Sequence, residues 1–152
     1  VGVQEAVHAG NYTVIDRDSF SDPAEKLRCM RECFNADFFI TGANALSIDG
    51  QMVNIDGNGN RVGMIVYGPK NIIVVAGMNK VCATIEDAVK RARTVAAPMN
   101  QQRFGLNNPC TCTGVCADCL SESSICNQIL ITRNCKPAGR IKFVLVGEEL
   151  GF

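Results

Sequence analysis

Two stretches of the chain repeat apolar residues at helical spacing. In the first, residues 23–35, Asp22 precedes a first-turn proline and Glu25 follows three residues later, which is typical of a helix N-terminus. In the second, Thr84 opens a similar run whose apolar positions continue as far as Pro98. We therefore predict one helix over residues 23–35 and another that begins at Thr84 and ends at Pro98.

Continuous apolar runs rich in Ile, Val and Phe predict strands that are buried on both faces of a sheet. A further segment, residues 46–55, alternates on either side of Asp49 and Gly50, a dipeptide that favours a type I′ turn, and it predicts a β-hairpin. Strands that alternate with helices indicate an α/β fold with a mainly parallel sheet flanked by helices. The other predicted strands cover residues 37–41, 71–76, 128–132 and 141–146, and shorter helices cover residues 3–9 and 61–67.

Composition and charge narrow the possible functions. The chain has 152 residues, which suits a single domain over residues 1–152 with one core. Fifteen Lys and Arg residues balance 15 Asp and Glu residues, so no net charge attracts a nucleic-acid backbone or an anionic membrane. No apolar run approaches the ~20 residues that span a bilayer. No secretory leader pattern opens the sequence and its cysteines cluster locally, so we expect a cytoplasmic protein without nucleic-acid or membrane partners.

Polar residues gather in loops that follow predicted strands, which is where α/β proteins bind ligands. Between residues 54 and 61, amides, a carboxylate and an arginine alternate with glycines that a ligand can approach closely. The arginine fork suits a carboxylate or a phosphate. The alternative is that these residues form ordinary turns and that the arginine is a solvated charge. The predicted site for a small anionic metabolite comprises Asn44, Asn54, Asp56, Gly57, Gly59, Asn60 and Arg61.

Candidate catalytic residues are few. Asp56 ends a predicted strand and is the best candidate for a general acid or base, because burial at such a position raises the pKa of a carboxyl. Its alternative role is to cap the helix that Arg61 opens. The only histidine is His8, and no serine-hydrolase nucleophile motif accompanies it. Glycine motifs for ATP or dinucleotide binding are also missing from the sequence.

Cysteine is the unusual residue type, with nine in the chain and six of them between Cys110 and Cys135. Two residues separate Cys116 from Cys119, a spacing that lets both sulfurs face one ion. The Cys-rich loop, residues 109–127, is therefore a candidate site for zinc or an iron–sulfur cluster, with reduced structural or redox-active thiols and a stable disulfide as alternatives. The predicted ligands are Cys110, Cys116, Cys119 and Cys126, whereas Cys29, Cys33 and Cys82 are predicted to be small core residues.

Two stretches of the sequence resemble the LUD (lactate utilisation) domain family, above all its small stand-alone members that contain cysteines. They are FITGANALSIDGQMVNIDGNGNR at residues 39–61, and PCTCTGVCADC at residues 109–119 followed by ICN at 125–127. The resemblance extends over the whole chain, although Cys112 departs from the family pattern. Members of the family usually begin with a further segment before the equivalent of Val1, so we expect that this chain lacks the family's N-terminal segment.

The resemblance implies a fold like that of the isomerase and CoA-transferase group, which includes glucosamine-phosphate deaminase and ribose-5-phosphate isomerase. It also implies a role near the oxidation of lactate to pyruvate, alongside iron–sulfur partner subunits. Residues 41–46, TGANAL, are also similar to the active-site segment of methylthioribose-1-phosphate isomerases, in which an aspartate replaces Asn44. An amide does not act as a general acid or base, so binding of a ligand is carried over and isomerase chemistry is not.

Three functional hypotheses follow. The first is an accessory or electron-transfer component of lactate utilisation that binds a small anionic metabolite. The second is an iron–sulfur redox subunit that acts in lactate oxidation, which would make the chain a component of an oxidoreductase. The third is a zinc-stabilised domain that binds a sugar phosphate and has no redox role.

Overall fold

The computed structural model describes residues 2–152 and shows a mixed α/β fold. Its helices are α1 (Val3–Ala9), α2 (Pro23–Glu32), α3 (Asn60–Tyr67), α4 (Ile85–Arg91), α5 (Ala97–Arg103) and α6 (Pro109–Thr113). Its strands are β1 (Phe38–Thr41), β2 (Ala45–Ser47), β3 (Met52–Asp56), β4 (Asn71–Gly77), β5 (Val81–Cys82), β6 (Gln128–Thr132) and β7 (Ile141–Val146). Short 3₁₀ turns cover Arg17–Ser19, Cys33–Asn35 and Met78–Lys80. All the strands predicted from apolar runs are present. No helix in the described part of the chain is both long and apolar enough to cross a bilayer.

The strands form two sheets. The first has the order β1-β4-β7 and is parallel throughout, with Ile72 paired to Phe39 on one side and to Ile141 on the other. The second has the order β5-β2-β3-β6, in which β3 is antiparallel to both of its neighbours. The predicted parallel sheet flanked by helices is thus confirmed, and a mixed sheet lies beside it.

The core has two layers, one on each side of β3. On one side Met52 lies with Leu46, Ile65 of α3 and Ile72 of the parallel sheet. On the other side Val53 packs with Ala45 and Ile55 against the helices that begin at Ile85. Every residue of β3 is buried, because the hairpin strand lies between the parallel sheet and these helices. The end of β3 is therefore an enclosed position.

Burial of the parallel sheet on both faces was predicted, and this prediction is wrong. The exposed fraction is 58% for Phe38, 40% for Ile40 and 47% for Val144, all on the face that points away from the inter-sheet core. Strands β1 and β7 are also the edges of their sheet. An apolar run indicates that a strand favours burial. It does not show whether other elements cover both faces of that strand.

The predicted hairpin is present, but its turn differs from the predicted type I′. Ser47 O accepts the N–H of Gly50 at 2.9 Å, and the N–H of Ser47 donates to Gln51 O at 2.9 Å. Only the glycine of the Asp49–Gly50 pair has a positive φ, +89°, whereas a type I′ turn needs a positive φ at both residues. The pattern matches the longer hairpin loop in which a glycine in the left-handed region follows a turn.

We expect Gly50→Val to lower the free energy of unfolding by about 1–2 kcal/mol, because a residue with a Cβ resists the left-handed backbone conformation. A Cβ at Gly50 meets no atom within 4 Å, so the cost is conformational and does not come from a clash. Gly147 also lies in open space but lacks a positive φ, which makes Gly147→Val the matched control. Chemical denaturation compares the two variants, and equal stabilities would contradict this account of the turn.

The helix that Thr84 opens continues past the proline that was predicted to end it. Thr84 Oγ1 accepts the N–H of Asp87 at 3.1 Å, as its capping sequence indicates. After α4 the chain makes a π-helical segment, Ala92–Ala96, in which the N–H of residue 97 bonds to Ala92 O, and α5 follows directly. Pro98 occupies the first turn of α5, where the backbone N–H that proline lacks is not needed.

Candidate functional site

Three of the predicted ligand-binding residues form a compact hydrogen-bond network at the end of β3. Arg61 Nε donates to Asp56 Oδ1 at 2.9 Å, while its Nη2 donates to Asn44 Oδ1 at 2.9 Å and to Ile55 O at 2.7 Å. The arginine fork that was predicted to hold an anion therefore bonds mainly to the protein itself. In this arrangement Arg61 fixes the end of β3 to the loop that follows β1.

Asp56 is held from two sides. Its Oδ1 pairs with Arg61, and its Oδ2 accepts the N–H of Val62 at 2.9 Å, near the start of α3. The side chain is 9% exposed. These contacts favour the capping role over general acid–base catalysis, because both carboxylate oxygens already accept hydrogen bonds.

Asn54 differs from its neighbours, because one of its polar atoms is buried without a partner. Its Nδ2 donates to Gly42 O at 3.2 Å, in the loop after β1. Its Oδ1 has no hydrogen-bond partner within residues 2–152, and the residue is completely buried. A buried acceptor without a donor costs about 1–3 kcal/mol, so this oxygen is a position for a ligand donor or a bound water.

The other predicted ligand-binding residues lie in the adjacent loop. A Cβ at Gly57 would lie 3.2 Å from Ile125 Cα, and Gly57 O accepts from Asn127 Nδ2 at 3.1 Å. Gly59 has a φ of +74° and precedes Asn60, the first residue of α3. The glycines therefore allow a close approach of the end of the Cys-rich loop and of Gln128, in addition to any role toward a ligand.

Two cationic residues that sequence reasoning missed complete this region. Lys80 ends the turn after β4, is 9% exposed, and has no hydrogen bond or ion pair at Nζ among residues 2–152. Burial lowers the pKa of Lys80, and the charges of Arg91 and Arg61 lower it further. Arg91 donates to Asn79 O at 3.0 Å and to Asn44 O at 2.7 Å. Burial likewise lowers the pKa of Arg91.

A signal for both residues was present in the sequence. Lys80 lies in a loop that follows an almost continuous apolar strand, the position at which α/β sheets bind ligands. Arg91 follows the buried Ala88 by three residues, so it lies on the apolar face of its helix. Lys80 and Arg91 lie on different elements, so only the folded chain brings them close to each other.

The C-terminal segment, which includes Leu150, lies against Lys80. The N–H of Leu150 donates to Asn79 Oδ1 at 3.2 Å, and Asn79 Nδ2 donates to Gly151 O at 3.1 Å. A Cβ at Gly151 would lie 3.5 Å from Lys80 Nζ, while one at Gly77 would lie 2.5 Å from the nitrogen of Leu150. The segment therefore packs closely on the turn that carries Lys80 and covers part of this region.

The four predicted metal ligands all line one cavity of about 50 Å³. No three His, Cys, Asp or Glu side chains in residues 2–152 already converge in metal-binding positions.

Of the cysteines predicted to be small core residues, Cys29 is buried, whereas Cys33 and Cys82 are partly buried. The single histidine, His8, is exposed and contacts Asp16 Oδ2 at 3.2 Å.

Comparison with known proteins gives one match. A family model described as LUD domain matches residues 1–146. No curated protein and no solved structure matches the chain. The likeness to the isomerase and CoA-transferase group therefore stays a prediction.

Proposed function

Because the chain belongs to the LUD domain family, which is associated with lactate utilisation, we propose that it binds a small anionic metabolite beside Lys80. The ligand is a carboxylate or a phosphate, and the protein acts as a cytoplasmic accessory or electron-transfer component of lactate utilisation. The observation that carries this proposal is a buried lysine whose ammonium group has no acidic partner in the described chain.

The charge distribution supports an anion at this position. Lys80, Arg61 and Arg91 are close enough for the two arginines to lower the pKa of the lysine. Asp56 is the only carboxylate of residues 2–152 that forms an ion pair with any of the three. Burial of an unpaired cation is costly, and an anionic ligand would offset that cost by pairing with it. A carboxylate or phosphate is the ligand class that matches this excess of positive charge.

The orphaned amide oxygen adds a second feature that a ligand could use. Asn54 Oδ1 is buried and accepts no hydrogen bond within residues 2–152. A ligand with a hydroxyl group could donate to it, as a 2-hydroxy acid or a sugar phosphate would.

The contacts of Asn44 and Asp56 support a binding role over proton-transfer catalysis. Asn44 Oδ1 accepts from the N–H of Ile55 at 2.8 Å as well as from Arg61. Both oxygens of Asp56 accept hydrogen bonds as well. A general base needs an oxygen within reach of the ligand's proton. Neither side chain offers one without breaking the network that fixes the end of β3.

Calorimetric titration with lactate, pyruvate and inorganic phosphate tests the proposal. We expect Lys80→Met to weaken the best of these ligands by at least about tenfold, which corresponds to about 1.4 kcal/mol. Affinity of the wild-type protein for pyruvate should also fall as the pH rises through the lowered pKa of Lys80, because the deprotonated amine no longer attracts a carboxylate. The stability of Lys80→Met should equal or exceed that of the wild type, since the variant removes a buried charge.

Lys90→Met is the matched control for this titration. Lys90 is exposed on α4, one residue before Arg91, so its loss changes the net charge equally but leaves the buried cation in place. We expect this control to bind like the wild type. Equal weakening in both variants would mean that the effect comes from the overall charge of the protein. Unchanged affinity in Lys80→Met would mean that Lys80 is not part of the site.

One observation favours the alternative of an iron–sulfur redox subunit. Four thiols face a single cavity, which is the donor type that iron–sulfur clusters use. This alternative adds an electron-transfer centre to the same chain and does not replace the anion site. A visible absorption spectrum of protein purified without oxygen distinguishes the anion site alone from a chain that also holds a cluster, because an iron–sulfur cluster absorbs visible light.

A further inference from the structure

Four cysteines that are spread over 17 positions of the sequence face one cavity in the fold. Cys110 comes from α6, Cys116 and Cys119 from the segment that follows it, and Cys126 from the approach to β6. The cavity measures about 50 Å³, which is enough for an occupant of the size of an ion. Its other walls are largely apolar, and they include Ala97, Pro98, Leu120 and Ile129.

A buried asparagine fixes the frame around this cavity. Asn108 is 1% exposed, and its Nδ2 donates to Gln101 Oε1 at 2.7 Å and to Ser123 O at 3.2 Å. Its Oδ1 accepts from the hydroxyls of Ser121 and Ser123. These bonds join α5, the start of α6 and the segment between Cys119 and Cys126. The ends of the cysteine segment are therefore held in position on α5.

The backbone between the central pair of thiols turns sharply. Gly114 ends α6 with a φ of +72°. Asp118 has a φ of +50° and is the only residue other than glycine in the described chain with a positive φ. It lies between Cys116 and Cys119, so the unusual conformation is part of the turn that brings both sulfurs to the same cavity. Aspartate adopts the left-handed conformation more readily than most residues, so this sequence suits the turn.

The side chains around the cavity leave no charge to balance thiolates. Arg93 and Asp118 are the charged residues of the lining, and they form an ion pair with each other. Thiolates that converge in one cavity repel each other unless a cation neutralises them, and a metal ion supplies that charge.

We propose that Cys110, Cys116, Cys119 and Cys126 form a four-thiolate metal centre. As each metal–sulfur bond forms, the thiol releases its proton to solvent and the sulfur donates an electron pair to the metal. Because no three side chains of this type within residues 2–152 already converge in metal-binding positions, binding requires the sulfurs to draw together within the cavity that they line. Thiolates bind both Zn²⁺ and iron–sulfur clusters. A single ion is smaller than a cluster, so the cavity has to widen less to hold Zn²⁺.

The centre would also stabilise the predicted ligand loop. Ile125, next to Cys126, lies close enough to Gly57 that a Cβ at the glycine would be 3.2 Å from Ile125 Cα. Asn127, on the other side of Cys126, donates to Gly57 O at 3.1 Å. A metal ion at Cys126 would therefore hold the segment that supports the loop after β3.

Metal analysis of the whole chain, purified without oxygen or chelator, tests the proposal. We expect either about one Zn²⁺ per chain, or iron with acid-labile sulfide and a visible charge-transfer spectrum. Both results support the centre and identify its metal. Cys116→Ser and Cys126→Ser should each lower the bound metal at least about tenfold, because serine is a far weaker ligand for these metals. A wild-type protein that contains neither metal, and binds neither Zn²⁺ nor Co²⁺ after reduction, would overturn the proposal.

Cys112→Ser is the matched control for these variants. Cys112 lies on α6 two residues after Cys110, but its thiol is exposed and contacts Asn107 Oδ1 at 3.4 Å. The control should retain the wild-type metal content, and equal loss in all three variants would contradict the ligand set. If the ligand variants fail to fold, thiol alkylation of the wild type gives the answer: four more thiols should react after chelation, and no increase would overturn the proposal.

Discussion

Arg61→Ala is expected to lower the free energy of unfolding by about 3 kcal/mol, the largest effect of any single change considered. The variant leaves the buried carboxylate of Asp56 without its cation, and it removes the donors to Asn44 Oδ1 and Ile55 O. The cost is that of a buried charge without its cation and of the hydrogen bond lost at each acceptor, although Asn44 Oδ1 keeps the N–H of Ile55. Denaturant titration, followed by circular dichroism, measures it.

Two further variants define the origin of this effect. Arg61→Lys keeps the positive charge but loses the planar fork, so it should destabilise less than the alanine variant. Arg28→Ala removes an exposed arginine whose partner, Glu32, lies 4.0 Å away, and it should change stability by less than about 0.5 kcal/mol. If Arg61→Ala and Arg28→Ala have the same stability, the network at the end of β3 does not stabilise the fold.

Asn108→Ala is expected to have the second largest effect on stability, a loss of about 2 kcal/mol. The change leaves Gln101, which is 1% exposed, without the donor to its Oε1, and it removes the acceptor for two serine hydroxyls. Because the same bonds hold the segment between Cys119 and Cys126, the amides of residues 115–126 should also exchange hydrogen faster. Thermal melts and hydrogen exchange measure the two consequences separately.

Asn107→Ala is the matched control, since Asn107 is exposed and its side chain only receives a contact from Cys112. We expect this variant to retain wild-type stability and exchange. A destabilisation of Asn107→Ala equal to that of Asn108→Ala would mean that the α5–α6 connection responds to any substitution. The hydrogen-bond network of Asn108 would then not be the cause.

The elements that could be predicted from the sequence are those whose signals are local. Asp22 and Thr84 accept the capping hydrogen bonds that their sequence positions indicate. The apolar run at β4 is a strand, and Asp49–Gly50 lies at the tip of a hairpin. In each case the interacting residues lie within about one helical turn or one hairpin of each other. A short stretch of sequence therefore includes both partners of the interaction.

The features that sequence reasoning missed depend on contacts between distant segments. The helix passes Pro98 because a π-helical segment precedes it, and periodicity does not reveal such a segment. Phe38 is exposed because it lies on the face of the parallel sheet that points away from the core, whereas Phe39 of the same strand packs against the core. The ligand site at the end of β3 stays a prediction, and Lys80 and Arg91 come to this region from other elements of the fold. By contrast, the cysteine spacing already placed Cys116 and Cys119 at one cavity.

Nuclear magnetic resonance titration with pyruvate tests the central claim, that a small anion binds beside the buried lysine, most directly. The account predicts that the amide shifts concentrate in residues 42–44, in Asn54, in the turn Met78–Lys80 and at Gly151, and that they vanish in Lys80→Met. Shifts confined to another surface, or equal shifts in the wild type and in Lys80→Met, would contradict the anion site.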